Sequence, residues 1–363
     1  MNELPLNGWH VAHRAKMGEF AGYSMPLYYS KPIEEHHAVR RAAGVFDISH
    51  MGQFSLRGDR AEAFLDYALT NDVLAMGNGQ ALYSPLCRED GGVLDDLIVY
   101  RHDPRHWRII VNGATREKDF QWLHKLAKDF MVSLQDLTAG WCLFAVQGPQ
   151  AFAKLGPHCG VAPGSLRYYS FAETRLFGQD VFLARTGYTG EPGCEVAVPI
   201  VAARGVWERL TGELGILPIG LAARDTLRLE ACMALYGHEL REEWNPIESG
   251  IGFAVKLGKA ADFVGKAALR KVQADGPAFR SVGLEVTGRG IPRAEYPVLA
   301  GGQPAGIVTS GALSPTTGRQ VALARIASPF AKMGAVLGVD IRGKPVEAKV
   351  VSKPFYQSPA IRA

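Results

Sequence analysis

Two adjacent aspartates interrupt an otherwise apolar run in Asp90-Gly91-Gly92-Val93-Leu94-Asp95-Asp96-Leu97-Ile98-Val99-Tyr100, where a glycine turn feeds a strand-like segment. Side chains alternate across a strand, so Asp95 and Asp96 are expected on opposite faces and cannot form a paired-carboxylate dyad. Each needs its own explanation. Either one caps the turn and the other is exposed, since acids are rarely buried without a partner, or Asp96 points inward beside Leu94, Ile98 and Tyr100 as a carboxylate in a pocket.

Two further segments carry groups that bind rather than react. In Arg185-Thr186-Gly187-Tyr188-Thr189-Gly190-Glu191-Pro192-Gly193-Cys194-Glu195 the glycines and proline require turn conformations, while Tyr188 offers a flat aromatic surface and Glu195 an acceptor near the turn's ends. A plain β-hairpin explains the same pattern. Residues 220–237 read as a helix with Leu227, Ala231 and Ala234 on one face and Gly237 as the stop. Its Arg224 and Arg228 are one turn apart, a repulsion of a few tenths of a kcal/mol unless something compensates. Asp225 and Glu230 would do so structurally; a bound carboxylate or pterin is the functional alternative. The close histidine pairs, His10 with His13 and His36 with His37, lie in neither an H-E-x-x-H nor a cysteine-rich setting. They are expected on helix surfaces, and no metal site is expected. The five cysteines are scattered and form no C-x-x-C, which suits reduced thiols.

The elements that position these groups alternate at short intervals. Residues 32–44 read as a helix with proline near its start, acids in the first turn, bases in the last and Gly44 just past its end. Residues 45–56 read as β, 59–69 return to helical spacing, 107–112 read as a strand, 117–130 as a helix and 142–147 as another strand. Short connections favour an α+β fold with antiparallel sheets. From about residue 277 strand-like runs separated by Gly- and Pro-rich turns indicate a small all-β C-terminal domain. No G-x-G-x-x-G follows a strand and no P-loop occurs, so dinucleotide and nucleoside-triphosphate cradles have no support.

With 363 residues the chain exceeds the roughly 250–300 at which one core stops growing, so two or three domains are expected. Hydrophobic residues at 47% and charged residues at 21% are globular proportions. No apolar stretch approaches the roughly 20 residues that span a bilayer, and a net charge of +4 without a Lys/Arg block gives no nucleic-acid footprint. The opening residues resemble neither a signal nor a transit peptide, so residence in the cytoplasm, with no membrane and no nucleic-acid partner, is the expectation.

Taken in order, these segments resemble the aminomethyltransferase family of the glycine cleavage system, the T-proteins. The resemblance covers nearly the whole chain: Ala15-Lys16-Met17, Phe20-Ala21-Gly22, Glu34-Glu35-His36, Phe46-Asp47-Ile48-Ser49-His50-Met51-Gly52, the Gly91-Gly92 turn with Asp95-Asp96-Leu97, Arg185-Thr186-Gly187-Tyr188-Thr189-Gly190-Glu191, Ala223-Arg224-Asp225, Phe263-Val264-Gly265-Lys266 and Lys353-Pro354-Phe355-Tyr356. It implies a three-domain cloverleaf around a central folate channel: 1–52 plus 138–243 and 53–137 plus 244–280 as two discontinuous folate-binding domains, and 281–363 as a C-terminal β-barrel. It implies tetrahydrofolate as co-substrate and a lipoylated H-protein as partner, the aminomethyl carbon passing from the lipoyl arm to folate with release of ammonia. Asp96 is then expected to polarise folate N10, Glu195 to grip the pterin beside Tyr188, Arg224 to join them, and Tyr83, Met51 and Asn112 to line the wall. Arg362 is placed only loosely near the folate tail. Cys194 stands where the family commonly has an aromatic residue and Ala222 where it has glycine, changes expected to alter packing at the pocket wall. A folate-dependent demethylase of the same superfamily and a non-catalytic folate-binding maintenance factor are the alternatives; the K-G-C-Y-x-G-Q-E motif of the latter does not occur.

Overall fold

The computed structural model describes residues 1–361, so Arg362 lies outside the described residues. Two sheets facing one another position the site. One has the strand order Phe171–Leu176, Gln179–Ala184, Gly193–Pro199, Trp141–Gln147, Gly44–Asp47, Leu217–Pro218; the other runs Ala81–Cys87, Val93–Asp103, His106–Val111, Gly52–Arg57, Ser133–Asp136. Neighbours pair antiparallel as expected, except that Leu217–Pro218 runs parallel to Gly44–Asp47. Apolar side chains from the two inner faces, Phe46, Leu143 and Phe182 from one and Tyr100 and Ile110 from the other, share one core. The outer faces are covered by helices: Ile200–Glu208 brings Trp207 against one, Ala61–Ala68 and Arg116–Leu126 bring Phe64 and Leu123 against the other. The result is an α+β arrangement of helix, sheet, sheet and helix layers. A small third sheet, Asn2–Glu3, Tyr23–Tyr28 and Lys16–Phe20, includes a parallel pair between its first two members.

Residues 45–56 are not one strand. Asp47 Oδ1 accepts hydrogen bonds from the backbone N–H of Ser49 at 2.9 Å and from its hydroxyl at 2.5 Å, and the N–H of Met51 closes a turn on the carbonyl of Ile48 at 3.0 Å. This turn carries the chain from one sheet to the other. Both halves are buried, so the apolar pattern runs on through the break and hides it. Gly44 likewise opens a strand rather than ending the preceding helix, which stops at Arg41. A Cβ there would collide with Ile219 and Val39.

The helix carrying Arg224 runs from Leu221 to Glu230 and stops well before Gly237. Cys232 takes the left-handed conformation at φ +56°, and the N–H groups of Met233 and Cys232 close on the carbonyls of Arg228 and Leu229. That is a Schellman ending built without glycine. Ala231 and Ala234 therefore leave the helix face expected for them.

The C-terminal strands close a six-stranded barrel, Phe279–Val286, Gln320–Ala327, Gln303–Leu313, Pro297–Ala300, Val336–Ile341 and Lys344–Val351, filled by residues such as Leu284, Val308 and Val339. It is fastened by Glu230, which accepts hydrogen bonds from the Ser314 hydroxyl at 2.5 Å and the Thr316 N–H at 2.9 Å while pairing with Arg40 at 2.8 Å. Two histidines expected on helix surfaces are buried instead. His10 lies between Asp47 and the Tyr29 hydroxyl, at 2.9 and 2.8 Å, and His36 between the hydroxyls of Thr226 and Thr316, at 2.8 and 2.9 Å. Their short helices turn inward, so that a polar ring with two partners replaces an apolar one. No helix among the described residues is long and apolar enough to cross a membrane.

Candidate active site

Asp96 sits on Val93–Asp103, a strand flanked on both sides, and its polar partners arrive from those flanks. Ile98 is opposite Tyr83 on one neighbour and Ile110 on the other, which brings Tyr83 and the residue just past that second strand, Asn112, to Asp96. The Tyr83 hydroxyl donates to Asp96 Oδ2 at 3.0 Å and the Asn112 amide to Oδ1 at 2.9 Å. Burial, followed by the nearby Asp95 charge, pushes the Asp96 carboxyl up to about 7, against the pull of its two donors. Such a group holds or accepts a proton near neutral pH.

The strand departs from simple alternation at its start. Leu86 is opposite Asp95 and Cys87 opposite Val93, so Leu94 is an extra residue in a β-bulge. Leu94 consequently packs under the outer helices with Leu97 and Val99, whereas Ile98 and Tyr100 face the second sheet. The expectation that Leu94 flanks Asp96 fails for that reason. Asp95 neither caps the turn nor meets solvent: it is buried, accepting from the Asn112 N–H at 3.1 Å and from the Asn112 amide at 2.8 Å. The two acids form no dyad, yet one amide binds both. Asn112 stands beyond its strand's last residue, where the pleat no longer confines a side chain to one face.

Glu195 projects from the central strand Gly193–Pro199, opposite Ala145 and Ala184, and accepts the Thr186 hydroxyl at 2.6 Å. Burial raises its carboxyl above the ordinary value. Cys194, next along the strand, points the other way into the core beneath Trp207, so the departure there does not reach the Glu195 side. Tyr188 donates its hydroxyl to the carbonyl of Ala234 at 2.5 Å, a carbonyl released by the early end of the helix, and the Arg224 guanidinium lies 4.6 Å above the Tyr188 ring.

The two arginines of that helix differ in kind. Arg228 is saturated by Asp225 at 2.7 Å, Glu239 at 2.9 Å and the Ser310 hydroxyl at 2.7 Å. Glu230 serves Arg40 rather than either of them, contrary to expectation, because it lies where the helix meets the barrel. The Arg224 guanidinium has no hydrogen bond or ion pair among the described residues. Burial lowers its proton affinity, partly offset by Tyr188 and Glu195. A half-buried guanidinium with five unused donors is a receptor for ligand oxygen.

These groups act on each other. Tyr188 and Tyr169 both feel the Asp96 charge, and Tyr169 and Arg224 both feel that of Glu195. Met51 is half-buried against the core between the sheets, as are Ile98 and Tyr169. It contributes surface, not polarity. Sequence reasoning missed Tyr169, Phe253, which stacks on Tyr83 at 5.9 Å, and His50, a buried ring kept neutral by desolvation and by the charge of Arg224. His50 at least lies within a recognisable motif; the aromatics carry no signal of their own.

Comparison with known proteins bears on the family and the fold. Residues 6–259 match the family model described as the GCVT N-terminal domain, and residues 280–357 match the glycine cleavage T-protein C-terminal barrel domain. The chain is 43% identical over 362 residues to a protein of Moorella thermoacetica named aminomethyltransferase, covering 99% of each chain. It is 46% identical to one of the same name from Rubrobacter xylanophilus, covering 98% of this chain and 95% of that one. The crystal structure of glycine cleavage system aminomethyltransferase T from Bartonella henselae superposes with a TM-score of 0.93 at 36% identity, covering 98% of both chains. By sequence over nearly its full length and by fold, the chain belongs to the glycine cleavage T-protein family.

Proposed function

We propose that this chain is a tetrahydrofolate-dependent aminomethyltransferase of the glycine cleavage system, in which Asp96 is the catalytic carboxylate. The observation that carries the reading is Asp96 itself: a half-buried carboxyl, raised to about 7 and held by Tyr83 and Asn112, with Tyr188 feeling both its charge and that of the unpaired Arg224. The donor would be the aminomethyl group on the reduced lipoyl arm of an H-protein, and the products ammonia and 5,10-methylenetetrahydrofolate.

The residues present suit a reduced folate. Glu195 would accept from the N–H groups of a pterin, Arg224 would donate to its oxygen, and Tyr188, Tyr83 and Met51 would supply surface. When bound, tetrahydrofolate supplies the two nitrogens that capture the one-carbon unit. Asp96, aimed by Tyr83 and Asn112, would accept the proton at N10 and offset positive charge arising beside it. Its contribution is orientation and electrostatics, with no covalent bond to the protein.

The test is ammonia release from reduced, aminomethyl-loaded H-protein in the presence of tetrahydrofolate, with Asp96→Asn as the comparison. The wild type should release ammonia and form methylenetetrahydrofolate, and Asp96→Asn should bind folate yet lose at least about 100-fold in kcat. Formation of methyltetrahydrofolate from a methyl donor, without ammonia, would make the chain a demethylase. Near-wild-type turnover by Asp96→Asn would remove Asp96 from the mechanism.

A further inference from the structure

Behind Asp96 lies a second pair of acids for which the chemistry above has no use. Asp119, in the first turns of the helix Arg116–Leu126, is fully buried and faces Asp95, itself fully buried. Among the described residues, neither oxygen of Asp119 is reached by an N–H or O–H donor of another side chain within ordinary geometry. Two carboxylates facing each other in a dry core cannot both be charged. Asp95 already accepts two hydrogen bonds from Asn112, so it is the acceptor, and Asp119 is the partner left to carry the proton. Burial and the Asp95 charge push the Asp119 carboxyl up to about 11, in keeping with that assignment.

We propose that Asp119 is a positioning residue, acting through a carboxyl-to-carboxylate hydrogen bond on Asp95 that aims Asn112 and, through it, Asp96. The chain of contacts is continuous. A protonated Asp119 would donate its O–H to the Asp95 that it faces; Asp95 fixes both the backbone N–H and the amide of Asn112; the same amide then donates to Asp96 Oδ1. Because Asp119 keeps the proton, Asp95 stays an anion, and its charge raises the proton affinity of Asp96. Asp96 is faced besides by Tyr83 from the neighbouring strand, by Tyr169 and by Tyr188. Thr115 and Tyr236 face Asp95, and Lys118 faces Asp119 from its own helix. Lys118 is committed to Glu242 at 2.6 Å, and among the described residues no salt bridge joins a cation to Asp95, Asp96 or Asp119.

The proposal rests on Asp96 being catalytic, and its test separates the two ideas. Asp119→Leu, of similar size but unable to donate, forces Asp95 to take up the proton itself and cancels its charge. The acid limb of kcat/KM against pH should then move down by about half a unit or more, and kcat should fall at least about fivefold, with folate KM within about twofold of wild type. Asp119→Asn restores a donor to Asp95 and should return the limb to its wild-type position. If Asp96→Asn is inactive while both Asp119 variants keep the wild-type limb, the positioning role is wrong and the Asp96 assignment stands. If Asp119→Leu does not fold, infrared spectroscopy of the full-length protein decides: at about pH 8 the wild type should show the carbonyl band of a protonated carboxyl that Asp119→Asn lacks. Absence of that band in the wild type overturns the proposal.

Discussion

Tyr83 and Asp96 are joined by a 3.0 Å hydrogen bond in which the phenol donates to Oδ2, while the Tyr83 ring lies stacked on Phe253. The phenol is thus held by packing as well as by the bond. Tyr83 is the donor that works against burial at Asp96, favouring the ionised carboxylate, and its own hydroxyl is pushed up by desolvation and by the Asp96 charge. Donor strength and charge are balanced between two neighbouring strands.

Tyr83→Phe should therefore raise the proton affinity of Asp96 and leave the fold intact, since the ring stack survives. With the carboxyl starting at about 7, loss of one donor should move the acid limb of kcat/KM up by about half a unit, lowering activity roughly twofold at about pH 7 and roughly threefold well below it. A limb that stays in place or moves down would show that the phenol does not tune Asp96. The profile is measured in the assay for ammonia release.

Asp96 should also cost stability. Its folded value of about 7 lies above the ordinary aspartate value of 3.8, so the folded state holds the proton more tightly than the unfolded one. By linkage, stability is fully present below the unfolded value and is lost as pH rises through the folded one. The full shift corresponds to roughly 4 kcal/mol, and partial solvent access reduces it to an expected 1–3 kcal/mol or so. Asp96→Asn should be more stable than wild type by that amount at about pH 8 and nearly equal to it at about pH 4, as read by denaturant unfolding. A variant less stable than wild type at the higher pH would contradict the raised value.

The sequence made the acids, the hairpin and the arginine helix visible because each combines an unusual residue with a strand, turn or helix pattern. What it concealed follows from local geometry that pattern cannot encode. A bulge at Leu94 displaced one residue from the face assigned to it, and a turn at Ile48 to Met51 divided a run that reads as one strand. A left-handed Cys232 ended a helix where glycine was expected to. Asp119 was invisible for a different reason: in a first helical turn an acid is already explained by the helix dipole, and only the packed structure places it against Asp95. His10 and His36 read as surface residues because the partners that allow their burial are distant in sequence.

Arg224 and Arg228, one helical turn apart, should respond oppositely to removal. Arg224→Met deletes a guanidinium that no described side chain neutralises, so unfolding stability should be unchanged or higher while folate KM rises at least about tenfold. Arg228→Met leaves Glu239 buried and unpaired and should destabilise the fold by about 3–5 kcal/mol. Thermal unfolding and folate titration of the two variants side by side check both halves. Equal destabilisation would mean that Arg224 is structural.

Glu230 fastens the barrel, and its ionisation should make that attachment acid-sensitive. Burial alone would raise its carboxyl; the hydrogen bonds and charge of His36, the Ser314 hydroxyl and the charge of Arg40 outweigh burial and hold it down at about 2, against an ordinary glutamate value of 4.5. Since the folded value is depressed, the stabilisation is present above about 4.5 and is lost as pH falls toward 2, a span worth roughly 3 kcal/mol. Glu230→Gln keeps the shape but leaves Arg40 with one acid, Glu191, and weakens the bonds to Ser314 and Thr316. It should cost about 3–5 kcal/mol near pH 7. Because the wild type loses the same charge on acidification, the gap between the two proteins should narrow steadily between about pH 5 and pH 3. Denaturant unfolding across that range measures it directly, and a gap that stays constant with pH would show that the charge of Glu230 is not what holds the barrel in place.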